Sequence, residues 1–250
     1  MSGERHVALV LVAASVLAAC GDGSGGTGGD GAGAGPLGGG ARVDTLAATT
    51  LAARPRGELS WIADEIRLRA HRGTAHRHEF AFVYARRGSQ SLRAAGRERT
   101  LDAGEGAAIR TGLLHRHGAV DDSAVAWEIR LAHPGAAPVR SATRRVFESE
   151  RLRGIPTPAE ASFLAVTLLP RGGRTTVHAH PGPELIYQLS GRIDYQNALT
   201  GTKLLGPGGL EGIPPETAVQ KRNPFARPAV FLSWFLVDPD RPFAPKASFR

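Results

Sequence analysis

From Leu59 to the C-terminus the sequence falls into short apolar segments, and Gly or Pro stands at almost every break. That punctuation is what most limits the fold. LSWIADEIRLRA (59–70), EFAFVYA (79–85), QSLRA (90–94), ERTL (98–101) and AVAWEIRLA (124–132) are rich in β-branched and aromatic residues or alternate in polarity. A second series has the same character: RRVFES (144–149), SFLAVTLL (162–169), TTVHAH (175–180), ELIYQLS (184–190), RIDYQ (192–196), TKLL (202–205) and AVFLSWFLV (229–237). Ala95-Gly96 and the stretch from Asn197 to Gly201 supply hairpin turns. A weak helical patch runs from Val43 to Ala53. Short strands at this spacing pack as antiparallel sandwiches or barrels, so the chain is expected to be all-β.

The order of features repeats. Each half has a His-x-His pair, a strand ending in Gly, a hairpin, a Gly-rich turn and a last long strand with a Trp (Trp127, Trp234). Such a repeat points to internal duplication. Pro-rich stretches at 133–138 and 154–158 separate the halves, and the boundary is drawn at Pro138: one domain over 42–137, a second over 138–250. Both are of ordinary small-domain size. Trp127, Trp234, Phe231 and Phe235 are expected in the core, and Tyr187 and Tyr195 in packing roles.

The N-terminus reads differently. Arg5 and His6 precede an apolar run from Val7 to Ala19, the layout of a secretory signal over residues 1–19. A membrane-spanning helix needs about 20 apolar residues, so this run is too short to be one. It ends Leu17-Ala18-Ala19-Cys20, and Cys20 is the sole cysteine. The arrangement resembles a bacterial lipobox, which implies lipidation at Cys20. The Gly-rich stretch over 20–41 has few apolar side chains and reads as a flexible tether. The expectation is an extracytoplasmic protein held to the cell envelope by its lipid. The net charge of +8 comes from scattered arginines rather than a basic run or face, which argues against nucleic acid as a partner.

His178, His180 and Glu184 carry the chemistry. In a strand, residues i and i+2 face one side, roughly 6.5–7 Å apart, so both imidazoles share a face. Pro181-Gly182-Pro183 turns the chain, and Glu184 opens the next strand. Two imidazoles and a carboxylate suit a divalent ion of Fe, Mn, Ni, Cu or Zn.

At these residues the sequence resembles the cupins. Gly173, His178-x-His180, Glu184 and Gly191 follow the first cupin motif. Gly209 and Pro215 begin the second, but Thr217 replaces its Gly, Gln220 stands where its His belongs, and Asn223 lies one place early. In the first half His76-x-His78, Tyr84 and Gly88 follow the first motif, while Ala81 and Phe82 occupy the places of its Glu. Gly104, Gly112 and His115 keep the second motif, with Arg110 for its Pro, and His117 shares a strand face with His115. Six of the nine histidines thus fall at motif positions or two residues from one, too many for chance.

The resemblance implies two tandem double-stranded β-helix (jelly-roll) barrels. It implies a divalent metal in the second barrel on His178, His180 and Glu184, with Gln220 or water in the fourth place. It offers a second set, His76, His78 and His115, in the first barrel. For activity it suggests a dioxygenase-like reaction on a small organic molecule. A non-catalytic surface lipoprotein that binds a small molecule or a metal is the alternative the residues leave open. Arg110 and Lys221 read as exposed charges, and exposed sheet edges allow a homodimer.

Overall fold

The computed structural model describes residues 38–249 except 54, 55, 71, 72 and 74. The signal, Cys20 and the tether up to residue 37 lie outside the described residues. Strands follow one another as β1 (Ala41–Leu51), β2 (Ser60–Arg69), β3 (Ala81–Arg87), β4 (Gln90–Ala94), β5 (Arg97–Leu101), β6 (Gly106–Ile109), β7 (His115–Ala119), β8 (Ser123–Ala132) and β9 (Ala142–Glu148). The second series is β10 (Ala159–Leu168), β11 (Gly173–Arg174), β12 (Glu184–Ser190), β13 (Ile193–Asn197), β14 (Gly201–Leu205), β15 (Leu210–Ile213), β16 (Val219–Asn223) and β17 (Ala229–Val237). No helix occurs among the described residues.

Each barrel is a large and a small antiparallel sheet. The first combines β6-β3-β8-β2-β9 with β5-β4-β7; the second combines β1-β10-β17-β12-β15 with β11-β16-β13-β14. The hairpin turns form as expected: Ala95 and Gly96 both take positive φ (50° and 72°) between the paired strands β4 and β5. Gly88 and Gly191 end equivalent strands with φ of 68° and 70°. A Cβ at Gly191 would lie 2.5 Å from the Pro228 carbonyl, so both conformation and space call for glycine.

Two expectations are corrected. The helical patch over 43–53 is strand β1, paired with β10 from Ala41↔Leu168 to Leu51↔Ala159. Its Val and Thr residues favour an extended chain, and a ready sheet edge outweighs a weak helical period. The tether also stops earlier than residue 41: Leu169 N–H donates to the Gly40 carbonyl at 2.9 Å and Arg174 N–H to that of Gly39 at 3.0 Å.

The boundary at Pro138 does not divide the sheets. β1 precedes the first barrel yet belongs to the second one's large sheet, and β9 follows the boundary yet pairs with β2. Each barrel therefore holds an edge strand from the other side of the line. Between them lies the largest apolar cluster, where Trp61, Phe82, Tyr84, Trp127 and Phe147 meet Phe163, Leu185, Leu232 and Trp234. Trp127 and Trp234 are thus core residues at the seam. Phe231 and Phe235 lie inside the second barrel with Tyr195, while Tyr187 packs against the seam.

Candidate metal centre

Four imidazoles converge on one carboxylate inside the first barrel. His76 and His78 come from the chain before β3, and His115 and His117 from β7, where alternation points both inward. The carboxylate is Glu128 on β8, fully buried. Its oxygens lie 3.0 Å from His76 Nε2, 2.7 Å from His78 Nε2, 3.2 Å from His117 Nε2 and 3.9 Å from His115 Nε2. The expected set His76, His78 and His115 is brought together here, joined by His117 and by an acid that motif counting missed. The place of the motif Glu is Ala81, buried on β3; the acid arrives instead from the neighbouring strand, where Glu128 pairs with Val83. The sequence signal was a charge in the middle of the apolar run AVAWEIRLA.

The hydrogen bonding of these rings calls for a cation. His115 Nδ1–H donates to the Leu113 carbonyl at 3.0 Å, and His78 Nδ1–H donates to the Glu79 carbonyl. In the neutral rings Nε2 then carries a lone pair. These two Nε2 atoms face each other at 3.2 Å, and one lies 2.7 Å from the carboxylate. Both ring nitrogens of His117 are buried without a hydrogen bond, because Nε2 is out of line with Glu128 despite its short distance. A divalent ion held by His76, His115, His117 and Glu128, whose ligand atoms lie within 4.8 Å of one another, would satisfy the buried lone pairs of His115 and His117. Burial pushes the Glu128 carboxyl up, but the surrounding imidazoles outweigh it and hold it well below the usual range. Burial lowers the His117 imidazole, favouring the neutral form that ligates.

The second barrel brings together His178, His180 and Glu184, whose ligand atoms lie within 4.8 Å of one another. The Nδ1–H groups of His178 and His180 donate to the carbonyls of Thr176 (2.8 Å) and Phe243 (2.6 Å) respectively. Both barrels thus hold a His/Glu group able to take a divalent metal. The second, however, contains a cation of its own. Lys221, expected as an exposed charge, is 1% exposed, with Nζ 3.0 Å from both Glu184 oxygens. Ser233 Oγ also donates to Glu184, at 2.9 Å. Burial, then Lys221, lowers the His178 imidazole to about 4. Burial raises Glu184, but Lys221 and the two imidazoles bring it below its ordinary value.

Gln220 is corrected. On β16 alternation turns residues 219 and 221 inward and 220 to the other face, where its Nε2 donates to the Thr175 carbonyl at 3.0 Å. It does not join the metal group.

Access differs between the barrels. The C-terminal tail crosses the second barrel's group: Ala179 N–H donates to Pro245 O, Ala247 N–H to Val177 O, and the His180 ring sits between Phe235 and Phe243 at 4.7 and 4.9 Å. In the first barrel the His76 side chain is 16% exposed. A cleft of about 460 Å³ lies beside the β4–β5 turn, lined in part by Ala75, Arg77, Arg93, Leu113 and Arg116, but alternation turns Arg93 and Arg116 away from the barrel interior and the His115 ring beneath is fully buried.

Neither a protein-family model nor a curated protein matches the sequence. Solved structures do match. Bacillus subtilis oxalate decarboxylase, in a study of its Mn(II) centres, aligns with a TM-score of 0.56 at 15% identity, over 75% of this chain and 71% of that one. Lactobacillus farciminis oxalate decarboxylase in its formate complex gives 0.54 at 13% identity, over 76% and 79%. The likeness is one of fold: this chain is built as two tandem cupin barrels.

Proposed function

We propose that this protein is a lipid-anchored, extracytoplasmic metalloenzyme that acts on a small organic acid in its first barrel. The observation that carries the reading is the convergence of His76, His78, His115 and His117 on buried Glu128. His76, His115, His117 and Glu128, whose ligand atoms lie within 4.8 Å of one another, would hold the ion, with His78 against Glu128 beside them. A bound divalent ion supplies Lewis acidity, and a redox-active one supplies electron transfer to or from substrate or O₂, the basis for a dioxygenase-like reaction. The protein's own part is to orient the imidazoles through main-chain carbonyls, and to exclude bulk water around Glu128.

The oxalate decarboxylases similar in fold support a small acid as the kind of molecule to test. Placing the metal in the first barrel moves it from the second, where the tail covers the group and Lys221 already neutralises Glu184. The lipid tether rests on the Leu-Ala-Ala-Cys ending at Cys20 and the Gly-rich stretch after it. The site needs no second copy of the chain, since all five side chains come from one barrel.

The alternative is a lipoprotein that binds a metal or a small molecule without turnover. It is favoured by the burial of the cluster, of which only His76 shows appreciable exposure. The two readings separate in one series. Protein purified without chelator is analysed for metals as wild type, Glu128→Gln and His178→Ala, then assayed for O₂ uptake and CO₂ release on oxalate, keto acids, catechols and flavonols. The expected result is metal lost in Glu128→Gln and kept in His178→Ala, with turnover of at least one acid. Metal that survives Glu128→Gln and disappears with His178→Ala would overturn the first-barrel site. Metal in place with no substrate consumed would leave the binding reading.

A further inference from the structure

The two barrels can be compared position by position through their pairings. His76 bridges His115 in the first, and His178 bridges Val219 in the second. Two residues further along, His117 on β7 pairs with Leu92, and Lys221 on β16 pairs with Tyr195. Leu92 and Tyr195 are each the third residue of the equivalent strands β4 and β13. Lys221 is therefore the second barrel's counterpart of His117, and buried Val219 is that of His115. The carboxylates differ as well. Glu184 opens β12, where Ala81 opens β3; Glu128 on β8 pairs with Val83, where Ser233 on β17 pairs with Ile186.

We infer that Lys221 is a built-in cation that keeps a divalent metal out of the second barrel, and that this single residue decides which barrel is loaded. In the first barrel the Glu128 carboxylate faces imidazoles, which ligate when neutral and leave its charge for an incoming ion. In the second, the Lys221 ammonium lies against both oxygens of Glu184, 3.0 Å from each, and cancels that charge. A divalent ion entering there would meet an ammonium 1% exposed, with no route to solvent and the Phe231 ring 5.9 Å away. It would also find two imidazole ligands rather than three. Burying a divalent ion beside an ammonium with only the single Glu184 carboxylate between them is strongly unfavourable. The unpartnered Nε2 of His180, 3.6 Å from Glu184, marks a ligand position that remains once the lysine is gone. The second barrel is thus a latent metal site, closed by one side chain.

This inference rests on the reading of the first barrel as the loaded one, and the experiment keeps the two apart. Full-length protein is stripped with chelator, dialysed against MnCl₂ and measured for Mn per chain. Wild type should hold one ion. Lys221→His, which installs the first barrel's residue, and Lys221→Met, which removes the charge, should each hold two, and in both the second ion should vanish on adding Glu184→Gln. The reciprocal His117→Lys should hold none. Wild type with two ions, or a folded Lys221→His and a folded Lys221→Met that both stay at one, would overturn the inference while leaving the first-barrel centre standing. A wild-type ion that persists in Glu128→Gln would overturn the first-barrel centre itself.

Discussion

Asp64 shows how strongly single buried charges organise this chain. Fully buried, it accepts from Arg130 Nη2 at 2.9 Å, Arg145 Nε at 2.7 Å and the Val139 N–H at 3.1 Å. Arg130 and Arg145 also donate to the carbonyls of Ala137 and Ala136, so one carboxylate fastens the inter-barrel connection to the first barrel. Breaking a buried pair leaves its partner uncompensated and costs about 3–5 kcal/mol. Asp64→Ala should therefore lower stability by about that amount in urea denaturation, with Mn per chain unchanged in folded protein, since Asp64 touches none of the clustered histidines. Glu128 and Lys221 are of the same kind, and both were hard to read in the sequence. The six clustered histidines announced themselves by spacing. A lone acid in an apolar strand, or a lone lysine beside Gln220, does not say which way it points. That depends on register, and one residue of slip reverses it. Counting along the motif put Gln220 in the fourth place; the pairing of β16 with β13 puts Lys221 inside instead.

β1 is the element that ties the halves together. It hydrogen-bonds along β10, buries Leu51, and sets Leu46 against Gly106 of the other barrel. Without it the backbone edge of β10 and its apolar neighbours would face water, a template for pairing with other chains. A chain beginning at residue 52 should elute as oligomers or precipitate in size-exclusion chromatography. One beginning at residue 38 keeps β1 on β10 and should elute without such association. The strands legible beforehand were those with strong period-two patterns: QSLRA, ELIYQLS and AVFLSWFLV are β4, β12 and β17 to the residue. TTVHAH (175–180) is no strand beyond isolated bridges at His178, and β1, β6, β7, β11, β15 and β16 were missed. Five of these six are no more than five residues long, and two of them, HRHGA and VQKRN, carry polar or ligand side chains on the inward face. There the barrel's chemistry overrides the apolar pattern that announces a strand.

At the scale of the whole molecule the barrels behave as one core with two interiors. Phe163 of the second barrel stacks on Trp234 at 5.2 Å and meets Phe82 and Tyr84 of the first at 5.4 and 5.8 Å. Trp127 and Phe147 approach Tyr187 across the same seam at 5.3 and 5.6 Å. With the seam apolar and an edge strand exchanged on each side, neither barrel can open without exposing what the other buries. Unfolding should then be a single cooperative transition, followed identically by near-ultraviolet dichroism, which reports the tryptophans at the seam, and by release of the ion from the first barrel. Phe163→Ala removes a large buried side chain at a cost of about 3–5 kcal/mol. It lies in the second barrel, outside the metal cluster, yet it should shift both signals down together. Two separated transitions, with metal release unmoved by the substitution, would show the barrels to be independent and the seam to be mere contact. The same coupling predicts that residues 138–250 expressed alone will not fold, since they lack β1 and leave the faces of Phe163 and Trp234 bare.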